Sequence, residues 1–306
     1  MSGNLLFGRT SQLSIGIPPA NTPNLAKIQD LVISGAWNAQ ATGLSFDGFH
    51  IDFEVTKTLK AEPNKAKVSI YNLASATRLQ LSGKQPLVLK LDVGYNGQNE
   101  TIYLGTVRSG WTERAGSASE DIVTHIESGD SEFNMATARV AYAQGAKSPK
   151  VPIGIALQSL ADQLGVNTGN VFVSIAAFEK AGLAQISSSA LHGNCAKRLT
   201  DLCKSIGFSW SIQNGAIQIL PIGGALNSAL AIVLGPTTGL VGSPTVDSNG
   251  ILSAKALITP GLAPGAVVTM QAQFVKGSFV VTQTKHYGQT WGDEWYIEFQ
   301  GKRYAS

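Results

Sequence analysis

The sequence predicts a mainly β chain in which a small α+β module separates two strand-rich regions. Three observations lead there. Apolar and polar residues alternate with a period of two through much of the first 115 positions, the pattern of half-buried strands. Two helical stripes then appear, one opening at a proline and both closing at a glycine. Alternation returns after residue 222 and runs almost to the end. The predicted organisation is therefore 1–115, β; 116–222, α+β; and 223–306, β.

In the first region Phe49, Ile51, Phe53 and Val55 alternate with His50, Asp52 and Glu54. The polar run Ala61-Glu62-Pro63-Asn64-Lys65 marks a turn, and Val68 and Ile70 continue the alternation beyond it. Leu87, Leu89, Leu91 and Val93 form another strand. Tyr95-Asn96-Gly97 carries the Asn-Gly hairpin signal and leads into Thr101-Ile102-Tyr103-Leu104. Strands at this spacing predict an antiparallel barrel or sandwich. The segment Pro18–Asn24, rich in proline and asparagine, is predicted to be a loop.

In the middle region Pro152 precedes a stripe of Ile153, Ala156, Leu157, Leu160, Ala161 and Leu164, closed by Gly165. A second helix is predicted with Ser188 or Ser189 as its cap. Leu191, Cys195, Leu199, Leu202 and Ile206 would form its apolar face, with Gly207 as its left-handed stop. Phe208, Trp210 and Ile212 then alternate, Asn214-Gly215 turns the chain, and Ile217 and Ile219 alternate back. In the last region Val268, Met270, Ala272 and Phe274 read as one strand. Lys276-Gly277 reads as its turn, Phe279–Thr284 as extended, and Trp295, Ile297 and Phe299 as the closing strand. No low-complexity run or short-period repeat is visible.

Only 14% of the 306 residues are charged and 33 are glycine, against about 25% and about 7% in an average soluble domain. The net charge of +3 leaves no electrostatic footprint for nucleic acid and no polybasic membrane surface. The composition is the reverse of a disordered one. The deficit is local: Ser205–Val246 contains no Asp, Glu, Lys or Arg, and Ser205–Val275 only Asp247 and Lys255. Prolines and polar residues interrupt this stretch, so it offers no run of about 20 apolar residues to span a membrane. Residues 1–9 lack the pattern of a signal peptide. Synthesis in a host cytoplasm and no membrane insertion are the expectations. Cys195 and Cys203, eight residues apart on one predicted helix, would lie roughly 12 Å apart, too far for a disulfide. They read as small buried hydrophobes.

Little chemistry is encoded. His50, His125, His192 and His286 have no His or Cys at metal-ligand spacing. Gly207-Phe208-Ser209-Trp210-Ser211 lacks the last glycine of a nucleophile elbow and runs from helix to strand. Phosphate loops and dinucleotide fingerprints are absent. Asp52 and Glu54 share one strand face and read as a solvated pair rather than a catalytic one. No catalytic, cofactor-binding or metal-ligating residue is therefore predicted, and no cofactor. The candidate contact residues are Trp291, on the polar tip Gly288–Asp293, with Trp295 and Tyr296 just beyond it; Trp291 could equally plug the end of its own sheet. Trp37 and Trp111 are predicted core residues.

Several segments, in order, resemble bacteriophage tail hub or baseplate hub proteins of the Mu-like and T4-like kinds. They are Ile51–Lys57 through Val68–Leu73, Gly105–Val107 through Trp111–Arg114, Ser128–Asp130, Thr238–Pro244, Thr259–Gly265, and Gly277–Phe279 through Lys285–Gly288. Their order and spacing carry the resemblance, which spans most of the chain. Where such proteins often show His-x-Gly-Asp-Thr, this chain has His286-Tyr287-Gly288-Gln289-Thr290. The resemblance implies two β-barrel domains flanking a middle module, and a homotrimer whose barrels make a pseudo-six-fold ring. It implies a non-enzymatic virion protein of the tail or baseplate, joining a tail tube or tube initiator to a spike and meeting other baseplate proteins. Ejected DNA would pass it without being gripped.

Obligate interfaces are apolar and charge-poor, so Ser205–Val246 is expected to lie largely in subunit contacts. One alternative is a carbohydrate-binding or cell-wall-degrading β protein, with Trp291, Trp295, Asp293 and Glu294 forming its cleft. Another is the type VI secretion spike, which shares the architecture but continues into a long β-helix needle; this sequence ends at Ser306, just after its last strand.

Overall fold

A computed structural model of the chain describes residues 8–17, 42–82, 87–96, 98–116, 120–129, 137–141, 150–167, 169–170, 185–187, 190–226 and 230–304. Trp37, the Pro18–Asn24 segment and the two serines expected to cap a helix, Ser188 and Ser189, lie outside them. No helix among the described residues is long and apolar enough to cross a membrane.

The chain is mainly β, with a small α+β module. The first region contributes β1 (Arg9–Ile17), β2 (Thr42–Ser45), β3 (Ile51–Thr58), β4 (Lys65–Tyr71), the short helix α1 (Ser75–Leu81), β5 (Val88–Tyr95), β6 (Gln98–Arg114) and β7 (Ile122–Gly129). Alternation places Ile51, Phe53 and Val55 of β3 in the core while Glu54 faces out. Asn96, at φ 53°, turns β5 into β6. β7 pairs with both β4 and β6. The boundary expected at 115/116 therefore falls inside a hairpin, and the strand beyond it completes the first sheet.

The middle module holds β8 (Thr137–Ala141), β9 (Lys150–Pro152), α2 (Ile153–Leu164), β10 (Gln185–Ser187), β11 (Ala190–Asn194), α3 (Cys195–Ser205), β12 (Phe208–Gln213) and β13 (Ala216–Pro221). The α2 stripe is buried as its spacing predicts, and Gly165 follows it at φ 72°. α3 begins later than expected. Asn194 caps it, accepting from the Lys197 N–H at 2.9 Å, and Leu191 belongs to β11. Asn214 and Gly215, both at positive φ, make the tight turn between β12 and β13. The left-handed conformation suits these two residue types.

The last region holds β14 (Ile232–Leu234), β15 (Leu240–Val246), β16 (Ile251–Leu257), β17 (Val267–Gln271), β18 (Lys276–Gln289) and β19 (Trp295–Arg303). β17 ends at Gln271 rather than running on to Phe274. Residues 272–275 form the turn, closed by the Ala272 N–H donating to the Val275 carbonyl at 3.1 Å. Lys276-Gly277, expected to be the turn, begins β18 instead.

The two strand regions merge into one curled antiparallel sheet, ordered β15-β16-β19-β18-β3-β4-β7-β6-β5-β1-β2. β18 is the joint. Its first half pairs with β17, its second half with β3, and β19 accompanies both halves. The change of partner falls at a bulge at Thr282, whose carbonyl accepts from the Leu59 N–H at 2.8 Å. A bulge bends and twists a strand, which lets one strand serve two sheets.

Three separate apolar cores lie behind this frame. The first gathers Leu13, Ile15, Ile51, Val55, Ile70 and Leu91; the second Leu157, Leu160, Leu199, Trp210 and Ile217; the third Leu234, Leu252, Met270, Phe279 and Ile297. Burying each such side chain is worth about 1.5–3 kcal/mol. The β12–β13 turn docks the middle module onto the first sheet. The Lys57 amine donates to Asn214 Oδ1 at 2.9 Å, Asn214 Nδ2 to the Thr101 carbonyl at 2.9 Å, and Gln213 Nε2 to the Thr58 carbonyl at 2.8 Å. Gln218 Nε2 reaches the Pro264 carbonyl in the last region at 3.0 Å.

Candidate interaction surfaces

The tip between β18 and β19 carries Trp291, which is 73% exposed. The Arg9 guanidinium ties this tip to β1, donating to the Gly292 and Asp293 carbonyls at 2.9 and 3.0 Å. The Trp291 indole lies parallel to the His50 ring, centroids 5.2 Å apart, and His50 in turn stacks on Tyr71 at 4.0 Å. Asp52 anchors the pile. Its carboxylate stands 3.3 Å from His50 Nε2 and accepts from the Tyr71 hydroxyl at 2.9 Å. Burial, helped by that bond, pushes the Tyr71 phenol up to about 12. Trp291 is thus a braced aromatic plate facing solvent, not a plug.

Trp295 is a different case. It is 1% exposed and packs edge-on against Phe53, centroids 5.3 Å apart, within the first core. It is not a surface contact residue, because β19 alternation turns it inward while Tyr296 and Glu298 face out. Gly288 lies beside both rings in the register. A Cβ there would come within 2.7 Å of the Trp295 ring and 2.8 Å of Phe53, so only glycine fits.

The rest of His286-Tyr287-Gly288-Gln289-Thr290 is structural too. Burial lowers the His286 imidazole to about 3, the nearby Lys57 charge adding to the effect. Thr290 Oγ1 accepts from the Ile51 N–H and donates to the Phe49 carbonyl, both at 2.9 Å. Gln289, the departure from the hub pattern, faces outward with Tyr287, beside Asp52 and Glu54.

The outer face of the joined sheet is a set of mutually satisfied charges. Lys285 meets Glu54 at 3.0 Å, Lys67 meets Glu127 at 3.3 Å, and His125 meets Glu113 at 3.0 Å. The Tyr287 hydroxyl donates to Glu298 at 2.9 Å, and the Lys255 amine sits 4.0 Å above the half-buried Tyr296 ring. Asp52 and Glu54 are engaged separately by these partners and are not poised as an acid–base pair. Trp111, expected in the core, is 41% exposed and stacks on His125 at 5.1 Å. A bulge between Val107 and Ser109 shifts the β6 register and brings Trp111 to the outer face.

Among the described residues no other cluster of reactive groups stands out. Cys195 and Cys203 are fully buried, burial pushing their thiols up to about 11 and about 12. Cys195 Sγ donates to the Leu160 carbonyl at 3.2 Å. Among the described residues no three His, Cys, Asp or Glu side chains could hold a metal ion.

The low-charge stretch is the second unusual surface. Ile222 is 68% exposed, Leu230 73% and Phe274 83%, and Leu226, Val233 and Val246 are also exposed. Phe274 is displayed by the 272–275 turn. Single exposed apolar residues are ordinary; here six of them fall within one charge-poor segment of sequence.

No protein-family model matches the chain, and no curated protein matches it in sequence. Solved structures do match in fold. A tail protein from Neisseria meningitidis MC58 aligns with a TM-score of 0.58 and 11% identity, covering 97% of both chains. The 43-kDa tail protein of prophage MuSo2 from Shewanella oneidensis aligns at 0.56 and 9%, covering 96% of this chain and 98% of that one. The c3393 protein of E. coli, a type VI secretion component described as similar to the T4 tail proteins gp27 and gp5, aligns at 0.54 and 9%, covering 84% and 74%. Identities this low establish a shared fold, which runs through nearly the whole chain.

Proposed function

We propose that the chain is a structural tail protein of a phage-type particle: a homotrimeric hub, with no enzymatic activity, located in the virion tail or baseplate. The observation that carries this reading is the match with two tail proteins over 96–97% of this chain and 97–98% of theirs. Fold alone does not specify function, so the surfaces supply the remaining support. In this reading the sheets of β1–β7 and β14–β19 are the two barrel-type domains and the α+β module lies between them. Three copies then present six similar units to a six-fold tube on one side and a three-fold spike on the other.

The exposed apolar residues Leu230, Val233, Val246 and Phe274 serve the contacts between copies. The charge-balanced outer face of β3, β4, β18 and β19 suits a channel wall, because paired charges neither grip nor strongly repel passing DNA. A cell-wall-binding role loses its cleft, since Trp295 is buried in the first core while Trp291 faces solvent.

The test is native mass. The purified protein is expected at three times the mass of the 32.1-kDa chain, and at larger masses when mixed with tube or spike proteins. A monodisperse monomer at micromolar concentration would overturn the trimer.

A further inference from the structure

A cavity of about 730 Å³ opens where the middle module meets the joined sheet. It falls within the roughly 300–1,000 Å³ range of pockets that hold discrete ligands. Leu59 of the β3–β4 turn, Phe208 and Leu220 of the β12–β13 hairpin, and Val280 of β18 give it an apolar lining, and the exposed Ile222 stands beside them. Its charges are all of one sign. Lys60, Lys204 and Lys302 line it, all three are exposed, and no carboxylate among the described residues does. Elsewhere on the sheet lysines face carboxylates, as Lys67 and Lys285 do.

The three lysines come from three separate elements: the β3–β4 turn, the C-terminal end of α3, and β19. A cleft with low-dielectric walls and one sign of charge concentrates its field on a ligand of the opposite sign. Three dispersed cations suit several carboxylates spaced along a chain, whereas a single fatty carboxylate would engage one of them. The apolar lining asks for Leu-, Ile- or Phe-like side chains between those carboxylates. Nucleic acid fits poorly, because its phosphates would find three lysines but no wider basic surface to follow beyond them on a chain of net charge +3.

We propose that this cavity docks a peptide segment of a partner protein in which apolar side chains alternate with acidic ones. The proposal is independent of the trimer and holds in whatever assembly the chain adopts.

The experiment uses the purified full-length chain and two fluorescently labelled synthetic peptides, one of Leu, Phe and Glu and one in which every Glu is replaced by Lys. Fluorescence anisotropy is expected to show saturable binding of the Glu peptide that weakens with added salt, and none of the Lys peptide. The double variant Lys204→Glu/Lys302→Glu should lose at least about tenfold in affinity. Both residues are exposed, so its circular dichroism and thermal melt should match those of the parent. Ile222→Asp, which leaves all three lysines in place, should weaken the same peptide. Equal binding of the two peptides, unchanged affinity in the charge-reversed variant, no binding of the Glu peptide at millimolar concentration, or binding of dodecanoate instead of the peptide would each overturn the proposal.

Discussion

The outer face of β3, β4, β7, β18 and β19 and the stretch from Ser205 to Val275 are both strand-rich and both reach solvent, yet they meet water differently. On the first, Lys285, Lys67 and His125 each face a carboxylate within 3.3 Å. On the second, Leu230 and Phe274 project with most of their surface exposed, in a stretch whose only charged residues are Asp247 and Lys255. The first face is complete within one chain. The second leaves apolar area in water at a cost of about 25 cal/mol per Å², which another molecule can recover. A surface is therefore informative less by its exposure than by whether its groups already have partners.

The largest effect should come from the residue that hides behind the charged face. Trp295→Ala removes an indole from the first core and should cost about 3–5 kcal/mol, read as a shifted urea midpoint. A loss below about 1 kcal/mol would return Trp295 to the surface. Gly288→Ala, which forces a methyl group between Phe53 and Trp295, should also lower the midpoint by an overpacking cost of about 1–3 kcal/mol.

His286 comes next. It is neutral when folded, with its pKa near 3, but takes up a proton when unfolded, near pH 6.5. Stability should be full above about pH 6.5 and fall by about 1.4 kcal/mol per unit as pH drops toward 3. His286→Gln should remove one proton from that slope, measured by denaturant titrations at pH 7 and pH 5. Lys285→Ala breaks an exposed pair and should cost about 0.2–1 kcal/mol, vanishing in high salt. Smallest in stability, and sharpest for the comparison, is Phe274→Ser. The melting temperature of the chain should barely change while self-association weakens, read by sedimentation across a dilution series. A large stability loss there would mean that Phe274 serves its own fold.

The sequence carries the strands that alternate most plainly, the two helices of the middle module and the Asn-Gly turns, though neither α1 nor the order of strands in the sheet, because alternation, capping residues and left-handed turn residues are local signals. It misleads where a local pattern runs past the event that ends it. Alternation continues through Ala272 and Phe274 although the chain turns there. The apolar stripe of α3 reads in sequence as beginning at Leu191, while Asn194 fixes the start. Trp111 reads as core because a bulge in β6 reverses the alternation without leaving a mark in composition. The same limit applies to the surfaces. Trp291 and Trp295, four residues apart, look equivalent until the fold leaves one on the exposed tip and turns the other, at the start of β19, into the core, and the stack on His50 joins residues that no sequence window contains together. The shortage of charge after Ser205 coincides with exposed Ile222, Leu226, Leu230, Val233, Val246 and Phe274, although others, such as Phe49 and Leu79, lie elsewhere.

The pairing of β18 with β3 joins Gln289 to Asp52 and Gln283 to Thr58, nearly opposite ends of the polypeptide. During translation the outer edge of β3 emerges early and then stands open until the ribosome has delivered the final strands. Open strand edges recruit other chains, and contacts this distant in sequence form slowly. A nascent or prematurely terminated product lacking residues beyond 282 would expose seven residues of alternating β3 with nothing beside them. The second half of β18 thus acts as a checkpoint, since only a polypeptide that has grown past residue 289 can shield the edge of its own β3.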